Sequence, residues 1–485
     1  MKNNIPLLEP ITSPWMESIV NDFKLQEDLL ERYDSPLNIH NLHSFQSNIG
    51  EYLAFFKQYN FKSKIFYARK ANKCNTLATV AFESGIGVDT ASFAELKQCL
   101  DLNIKPENLV LTAAIKNTKL LRLAIRHEVL IIIDNEDEAK LIYKLCLEED
   151  KQAMVGIRIS GFEFQNKKLK SRFGVDMESV GGFILQFFDD ESVRKSIRFT
   201  GFHFHLDGYN PQQRGAALHQ TLDLIKTLRT YNFDPRFIDI GGGILINYLK
   251  SKEQWNNFQD ELKNALLHER DPITYQNNGL GFIERDKKIE GQLATYPYYN
   301  ETPKASFIKS ILEVNNREKI SVWERLEKMD IELRLEPGRS LLDQVGITMA
   351  KVAHRKQDAE GNILVGLEMN MTQMTSSSAD FLLDPMVTYS NPDENKKEVE
   401  VYFTGAYCLE RDFILKRKIA LPKLPEIGDV VTFVNTGGYM MHFFETEAHL
   451  FELSQNIFGL NISEHTEAIN FFKDENNLKV KQVYL

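Results

Sequence analysis

The stretch IFYARKANK (residues 65–73) places a short apolar run directly before a lysine, Lys70, in a cluster of basic residues. Apolar runs of this length, bounded by polar residues, are typical of β-strands. Because side chains alternate along a strand, we expect Arg69 to face the opposite side from Lys70, as an ordinary polar neighbour. The later strands decide whether Lys70 is a solvated charge or an amine held for covalent chemistry.

Seven further runs of this kind follow. They read GIGVD (85–89), NLVLT (108–112), VLIIID (129–134), MVGIRIS (154–160), RFTGFHFH (198–205), RFIDIGGG (236–243) and IELRLEPG (331–338). Most are separated by helix-like segments such as FAELKQCLDL, with apolar residues three and four apart. Eight alternating units are the number that closes a parallel (β/α)8 barrel. A doubly wound open sheet is the competing fold.

Polar residues at the strand ends favour the barrel. Almost every strand ends on a group capable of chemistry: Lys70, Asp89, Thr112, Asp134, Arg158, His205, Gly241, Gly242, Gly243, Glu336 and Arg339. In a barrel the carboxyl ends of all strands converge on one face, where active sites lie.

The sequence pattern changes after Arg339. Strand-like runs such as EVEVYFTGAYC and GDVVTFVNTGGY are separated by turns at DAEGN, NPDEN and PEIGD, which predicts an antiparallel β-sandwich or β-barrel domain. We therefore expect an α/β barrel over residues 42–344, with an insertion at about 245–330. Residues 1–41 and 345–485 should form the β domain.

Composition excludes several function classes. The chain has 485 residues with a net charge of −10, 43% hydrophobic and 26% charged residues. This is ordinary for a soluble globular protein, and the negative charge argues against a nucleic-acid partner. No apolar run approaches the ~20 residues of a membrane span, and the N-terminus does not read as a signal peptide. The four cysteines lack metal-ligand spacing, so we expect reduced thiols, no metal site and a cytoplasmic location.

Two glycine turns predict a phosphate site. The IDIGGGI turn (238–244) and the LEPGRSLL turn (335–342) follow the seventh and eighth strands, the usual phosphate position in this barrel class. A phosphate together with a strand-end lysine suggests pyridoxal phosphate, because the Lys70 amine can form a Schiff base with its aldehyde. Glu336 is placed to pair with the ring nitrogen and His205 to stack on the ring.

These motifs make the chain recognisable. It resembles the barrel-type (fold type III) pyridoxal-phosphate decarboxylases, which include the diaminopimelate, ornithine and arginine decarboxylases. The resemblance runs in order from about residue 40 to 450 and rests on seven motifs: YARKAN (67–72), DTAS (89–92), GFHFH (201–205), the glycine triad (241–243), EPGR (336–339), CLERD (408–412) and GGY (437–439).

The resemblance implies roles residue by residue. Lys70 would attach the cofactor, His205 would stack on its ring and Glu336 would pair with its pyridinium nitrogen. The cofactor's phosphate and floor would be bound by the glycines of the triad, Gly241, Gly242 and Gly243, by Gly338, Arg339 and Tyr439, and by Asp89 and Arg158. Cys408 would reach the barrel of a second subunit in a homodimer and protonate the α-carbon after CO2 leaves.

Three departures bear on the substrate. The family's histidine is usually followed by Gly-Ser one residue later, where this chain has Asp207 and Gly208. The family cysteine is followed by an acid, where this chain has Leu409, with Glu410 one place later; Glu410 and Asp412 are candidate substrate-binding residues. Asp384, a third candidate, stands where diaminopimelate enzymes carry a carboxylate-binding arginine, which favours a cationic side chain.

The expected function is thus decarboxylation of an amino acid. An amino-acid racemase on the same scaffold is an alternative, although barrel-type racemases read K-A-D-A-Y-G-H-G where this chain reads KANKCNT. A catalytically silent regulatory relative is another, which the altered HLDG and CLERD segments keep open.

Overall fold

The structure is a computed structural model that describes residues 4–376, 380–392, 397–460 and 470–474. The described residues divide into two compact units. The barrel unit comprises Gln46–Leu245 and Thr302–Leu341, and the mixed-sheet unit comprises the described parts of Met1–Phe45, Ile246–Glu301 and Leu342–Asp474.

The α-helices of the described residues are α1 (Pro14–Val20), α2 (Phe23–Tyr33), α3 (Leu42–Phe56), α4 (Asn75–Glu83), α5 (Phe93–Asp101), α6 (Thr118–Arg126), α7 (Glu136–Glu149), α8 (Met177–Phe187), α9 (Glu191–Ser196), α10 (Pro211–Arg229), α11 (Lys252–Leu266), α12 (Lys304–Leu312) and α13 (Val322–Met329). None of the helices in the described ranges is long and apolar enough to cross a membrane.

The β-strands are β1 (Leu37–Asn41), β2 (Ser63–Ala68), β3 (Gly87–Thr90), β4 (Leu109–Leu111), β5 (Leu130–Ile133), β6 (Ala153–Ser160), β7 (Glu163–Phe164), β8 (Lys167–Lys168), β9 (Val175–Asp176), β10 (Ile197–His203), β11 (Phe237–Asp239), β12 (Phe282–Arg285), β13 (Lys288–Gly291), β14 (Glu332–Leu335), β15 (Gly346–Gln357), β16 (Ile363–Leu367), β17 (Met386–Thr388), β18 (Val399–Thr404), β19 (Ile419–Leu421), β20 (Val430–Val434), β21 (Gln455–Leu460) and β22 (Asn470–Lys473).

Eight parallel strands form the barrel, in the order β10-β11-β14-β2-β3-β4-β5-β6, and β6 pairs with β10 to close it. Each of these strands overlaps one of the eight runs predicted from the sequence. The closure excludes the doubly wound alternative and confirms the predicted (β/α)8 fold, because an open sheet would leave two edge strands unpaired.

Complementary side-chain sizes fill the space between the barrel strands. Phe66, Val110, Ile132 and Phe237 belong to one buried cluster. A Cβ at Gly156 would lie 2.7 Å from Ile132 Cδ1 and 3.0 Å from the Phe237 ring, so a larger residue there would displace its neighbours. The strands are apolar because barrel strands are covered on both faces.

The barrel helices follow from local signals. Helix α6 reads TKLLRLAIR and buries Leu120, Leu121, Ala124 and Ile125, which recur on one face at helical spacing. Its N-cap, Asn117, accepts the backbone N–H of Leu120 and satisfies one of the free donors of the first turn.

The mixed-sheet unit contains a nine-stranded sheet with β1 inside it, between β15 and β21. Its mainly antiparallel pairing confirms the predicted antiparallel β domain, and β1 contributes a strand from the N-terminal residues. Two pairings differ from it, since β1 pairs with β21 and β16 with β18 in parallel.

Residues 245–330 do not form the single barrel insertion expected from the sequence. Residues 246–301, which include α11 and the β12–β13 hairpin, group with the mixed-sheet unit. There Trp255 stacks on Phe258 at 6.1 Å and contacts Tyr298 at 6.0 Å between ring centroids. The aromatic residues of 246–301 explain this grouping, because Tyr298 packs edge-on against Phe381 of the same unit. Residues 302–341 return to the barrel as α12, α13 and β14. The predicted β-domain residues 475–485 lie outside the described residues.

Candidate active site

Lys70 lies in a short 3-10 turn, Arg69–Ala71, directly after strand β2. Its Nζ is 2.9 Å from Oδ2 of Asp89 on β3, and its side chain is 35% exposed whereas that of Asp89 is fully buried. The Thr112 hydroxyl donates to the other oxygen of Asp89. Burial, followed by the nearby Glu336 carboxylate, raises the pKa of Asp89, while Lys70 and Thr112 oppose that shift. The amine is thus held by a buried acid and still reaches solvent.

Arg69 faces away from Lys70, as predicted, but it is buried rather than solvated. Its guanidinium donates to Gln98 Oε1 at 2.6 Å, to Cys99 Sγ at 3.2 Å and to the side chain of Asn75. These partners lie on α4 and α5, so Arg69 fixes both helices against the Lys70 turn.

A cluster of three buried titratable groups lies at the carboxyl ends of β10, β11 and β14. Its members, His203, Asp239 and Glu336, place one ligand atom each within 4.8 Å of the others. His203 Nε2 is 3.3 Å from Glu336 Oε1. Among the described residues, both His203 ring nitrogens, Glu336 Oε1 and Asp239 Oδ2 have no hydrogen-bond partner.

Burial controls the charges of this cluster. It raises the pKa of Glu336, and the charges of Lys70 and Arg158 oppose that shift. Burial and then the Glu336 charge hold the pKa of Asp239 well above its usual range, so Asp239 keeps its proton more readily. Burial and the Arg158 charge hold the pKa of His203 well below its usual value. Glu336 is therefore the group that nearby cations favour as a carboxylate.

The glycine triad forms a cradle under His205. Gly241 and Gly243 have φ angles of 65° and 72°, and a Cβ on Gly241 would lie 2.6 Å from His205 Cδ2. A Cβ on Gly242 would lie 2.5 Å from the carbonyl oxygen of Glu336. His205 is half-buried, and burial holds its pKa well below the usual value, so it is a neutral ring.

These residues fit pyridoxal phosphate. A turn that admits only glycine suits close backbone approach to a phosphate, and the half-buried His205 imidazole offers a flat face for a ring. The hydrogen-bond capacity left on buried Glu336 suits a protonated ring nitrogen, and Lys70 suits the aldehyde.

The other predicted barrel residues lie around this core. The Arg158 guanidinium is 4.2 Å from the Phe173 ring, and burial lowers its pKa despite Asp134 and Glu336. Arg339 is buried, and the Gly338 carbonyl accepts the Leu341 N–H. The EPGR turn is joined to the lysine strand, because the Ala68 N–H donates to the Pro337 carbonyl at 3.1 Å.

Asp207, the residue that departs from the family pattern, is exposed. One of its carboxylate oxygens accepts the N–H of Gly208 at 3.0 Å. The Asp207 carboxylate therefore hydrogen-bonds within its own segment and remains accessible to solvent.

Five predicted site residues belong to the mixed-sheet unit: Cys408, Glu410, Asp412, Asp384 and Tyr439. Cys408 and Glu410 are exposed. Asp412 is buried and accepts the N–H groups of Met371 and Tyr407, each at 2.7 Å. Asp384 pairs with Arg417 and accepts the Leu8 N–H at 2.8 Å. Tyr439 has a φ of 69°. Both engaged aspartates are anchored within their own unit.

Comparison with known proteins finds sequences and structures similar to this chain. Residues 46–278 match the family model described as pyridoxal-dependent decarboxylase, pyridoxal binding domain. Protein y4yA of Sinorhizobium fredii is 29% identical over 426 residues, which cover 87% of each chain. The diaminopimelate decarboxylase of Campylobacter jejuni is 22% identical over 425 residues, covering 85% of this chain and 88% of its own.

These findings support the resemblance of the chain to the fold type III pyridoxal-phosphate-dependent decarboxylases. Its cofactor is therefore pyridoxal phosphate, and its enzyme class is that of the carboxy-lyases, as the sequence predicted. The fold agrees: lysine/ornithine decarboxylase from Vibrio vulnificus, solved with putrescine, superposes with a TM-score of 0.62 at 18% identity, covering 91% of this chain and 98% of that one.

The sequence reading missed two members of the carboxylate cluster. His203 and Asp239 were within quoted motifs, GFHFH and IDIGGG, yet they were not assigned. Strand alternation could have found His203, since it is two residues before His205. Asp239 gives no separate signal in the sequence, because the adjacent glycines already account for a phosphate-binding turn.

Proposed function

We propose that this protein decarboxylates an α-amino acid whose side chain ends in a cation, with Lys70 as the cofactor-attaching amine. The main support is the ion pair between Lys70 Nζ and the buried Asp89 carboxylate at 2.9 Å. Glu336 Oε1, in the same site, has no hydrogen-bond partner among the described residues. When bound, pyridoxal phosphate supplies an electron-accepting ring that takes up the electron pair left by a departing carboxylate.

The chain's own residues prepare that chemistry. Asp89 orients the Lys70 amine and takes part in its proton balance. Glu336 would pair with the protonated ring nitrogen, and burial, followed by the Glu336 charge, raises the pKa of the neighbouring Asp239. His205 would pack on the ring and exclude water from one of its faces.

Reprotonation needs a separate acid, and we assign it to Cys408. The C–CO2 bond breaks, CO2 leaves, and the thiol of Cys408 gives its proton to the α-carbon. Cys408 is exposed in the mixed-sheet unit, and Leu409, Phe443, Phe444 and Leu450 are exposed apolar residues of the same unit. Exposed apolar residues of this kind support a homodimer in which Cys408 serves a second subunit. We place this dimer in the cytoplasm, as the sequence predicts.

The substrate class is inferred from named relatives and from one exposed acid. Family members act on lysine, ornithine and diaminopimelate by name. Glu410 offers an exposed carboxylate two residues after Cys408. Asp384 and Asp412 are occupied by protein donors, so we leave both out of the proposed substrate site.

The direct test incubates the holoprotein with L- and D-amino acids and follows both CO2 release and optical rotation. We expect CO2 from lysine, ornithine, arginine or a related cationic amino acid. Racemisation without CO2 would replace the proposal with a racemase. A protein that binds the cofactor and releases CO2 from no amino acid would be the silent regulatory relative.

The role of Lys70 is tested with Lys70→Ala. We expect loss of the visible absorbance band of covalently attached cofactor and of CO2 release. Lys73→Ala is the matched control, since Lys73 is an exposed lysine three residues away. A Lys70→Ala protein that kept both the band and the activity would refute the assignment.

The shared site is tested by mixing two inactive chains, Lys70→Ala and Cys408→Ala. Hybrid dimers would contain one site with both native residues, so the mixture should regain activity that neither chain has alone. No recovery in a mixture that forms hybrids by native mass spectrometry would contradict a site shared between subunits.

A further inference from the structure

Arg214 is a buried cation whose hydrogen bonds reach only backbone carbonyls among the described residues. It lies in the first turn of α10 and is 1% exposed. Its Nη1 donates to the Gly242 carbonyl at 3.0 Å, and its Nη2 to the carbonyls of Leu206 and Gly208 at 3.3 and 3.1 Å. Its Nε has no hydrogen-bond partner in the described part of the chain.

No carboxylate of the described residues forms an ion pair with this guanidinium. Burial accordingly lowers the pKa of Arg214 to about 10. A buried charge without an opposite charge is costly, and proteins ordinarily compensate it with a partner or a bound ion. The position of Arg214 therefore indicates that an anion belongs nearby.

The glycine triad shows where that anion would bind. A Cβ on Gly243 would lie 2.6 Å from Arg214 Nη2, so the guanidinium lies directly against the turn. In a trans peptide the carbonyl and the following N–H point in opposite directions. Because Arg214 holds the Gly242 carbonyl, the N–H of Gly243 is turned to the opposite side of the peptide.

The HLDG segment is shaped around the same guanidinium. Gly208 has a φ of 78°, in the region that favours glycine, and its carbonyl is one of the three that Arg214 holds. Gly208 has no side chain to offer a ligand. Arg214 thus joins two glycine-containing turns, 206–208 and 241–243, by a single charged group.

We propose that Arg214 is a positioning residue for the cofactor's phosphate. It fixes the N–H groups of the glycine turn toward the phosphate and supplies the positive potential that selects a dianionic group over a neutral one. The inference rests on the proposed function, since it needs the same cofactor. It concerns how tightly the phosphate is held and is independent of the amino acid used.

The test compares pyridoxal phosphate with pyridoxal, which has the same aldehyde and no phosphate. Both attach through Lys70, so the ratio of their dissociation constants isolates the phosphate. For Arg214→Met we expect pyridoxal phosphate binding to weaken by about 10–100-fold, the usual range for losing a charge-assisted contact. Pyridoxal binding should change by less than about threefold, and Arg214→Lys should restore part of the phosphate preference.

Arg325→Met is the matched control. Arg325 is also a buried arginine of the barrel unit, but it pairs with Asp223 at 2.5 Å and contacts His219. Its loss should leave the affinity ratio unchanged. If Arg214→Met weakens both ligands equally, or neither, Arg214 is only a structural residue and the proposal is overturned.

A measurement on the unsubstituted holoprotein covers the case in which Arg214 variants do not fold. The ³¹P resonance of the bound phosphate should stay at its dianionic position while the pH is lowered through the range in which free pyridoxal phosphate titrates. A bound phosphate that titrates like the free one would overturn the proposal. An absence of CO2 release from every amino acid would instead refute the proposed function and leave the affinity ratio intact.

Discussion

Two buried carboxylates, Glu336 and Asp412, show how differently an acid can be used in one chain. Their exposed fractions are nearly equal, 2% and 3%. Each oxygen of Asp412 accepts a backbone N–H, from Met371 and from Tyr407. Glu336 has an oxygen with no hydrogen-bond partner among the described residues and lies beside two further titratable groups. A satisfied buried carboxylate supports its own loop, whereas an unsatisfied one is prepared for a ligand.

The comparison predicts its largest effect at Glu336. Glu336→Gln keeps the size of the side chain and removes the charge that pairs with the cofactor's ring nitrogen. We expect kcat to fall about 10²–10³-fold, as for other lost electrostatic contacts to a reacting group. The free energy of unfolding of the apoprotein should not fall, since a buried unpaired charge is removed. Steady-state CO2 release and urea unfolding measure the two quantities.

A Glu336→Gln protein with kcat within twofold of the unsubstituted enzyme would contradict the proposed difference in role between Glu336 and Asp412. The glutamate would then be one more buried acid, and the ring nitrogen would need another partner. Asp239 is the next candidate, because it belongs to the same cluster.

At Asp412 we expect the opposite result, a loss of stability without a loss of substrate binding. Asp412→Asn keeps one acceptor oxygen. It replaces the other oxygen, which accepts a backbone N–H, with an NH2 group that cannot accept one. We expect the free energy of unfolding to fall by about 1–3 kcal/mol, the cost of leaving a buried donor unsatisfied. The substrate KM should stay near its original value, because Asp412 already uses both oxygens within the protein.

Glu410→Gln is the matched control for Asp412, since Glu410 is an exposed acid of the same loop. Its unfolding free energy should change by no more than about 0.5 kcal/mol. If KM rises strongly for Asp412→Asn while stability is unchanged, the original assignment of Asp412 to the substrate would be restored.

The barrel, and the grouping of several candidate site residues at one face of it, could be predicted from the sequence, and these residues illustrate why. The eight strands are local apolar runs, and their carboxyl ends meet by topology, so Lys70, Asp89, His205 and Glu336 could be grouped before any coordinates. Hydrogen-bond satisfaction is different, because it depends on partners distant in the chain. Asp412 and Met371 are 41 residues apart, a separation that no local sequence pattern covers.

The same limit explains the remaining differences. Arg214 lies in the first turn of α10, and its carbonyl partner Gly242 is 28 residues away, so no local pattern marks it as buried. The parallel pairing of β1 with β21 joins strands separated by more than 400 residues, and no alternation pattern encodes that choice. Likewise Arg69 is buried by α4 and α5, which pack on the lysine turn only in the folded chain.

The smallest expected effect concerns Asp239, which has one hydrogen-bonded carboxylate oxygen, as in Asp412, and one without a partner among the described residues, as in Glu336. Its Oδ1 accepts the Gly241 N–H at 2.9 Å, while its Oδ2 has no partner among the described residues. Burial and the Glu336 charge raise its pKa. The folded apoprotein therefore keeps a proton at pH values where the unfolded chain has released it. By linkage, the free energy of unfolding falls as pH rises above the ordinary carboxyl range.

Asp239→Asn removes this titration and keeps an acceptor for the Gly241 N–H. We expect the apoprotein variant to be about 1 kcal/mol more stable than the unsubstituted protein at pH 7, and the difference to shrink toward pH 4, where the unfolded chain also begins to take up a proton at Asp239. Urea unfolding of the two proteins across that pH range measures the slope. Parallel curves would mean that Asp239 is ionised in the folded state, and the negative charge offered to the cofactor's ring would then be shared between Asp239 and Glu336 rather than carried by Glu336 alone.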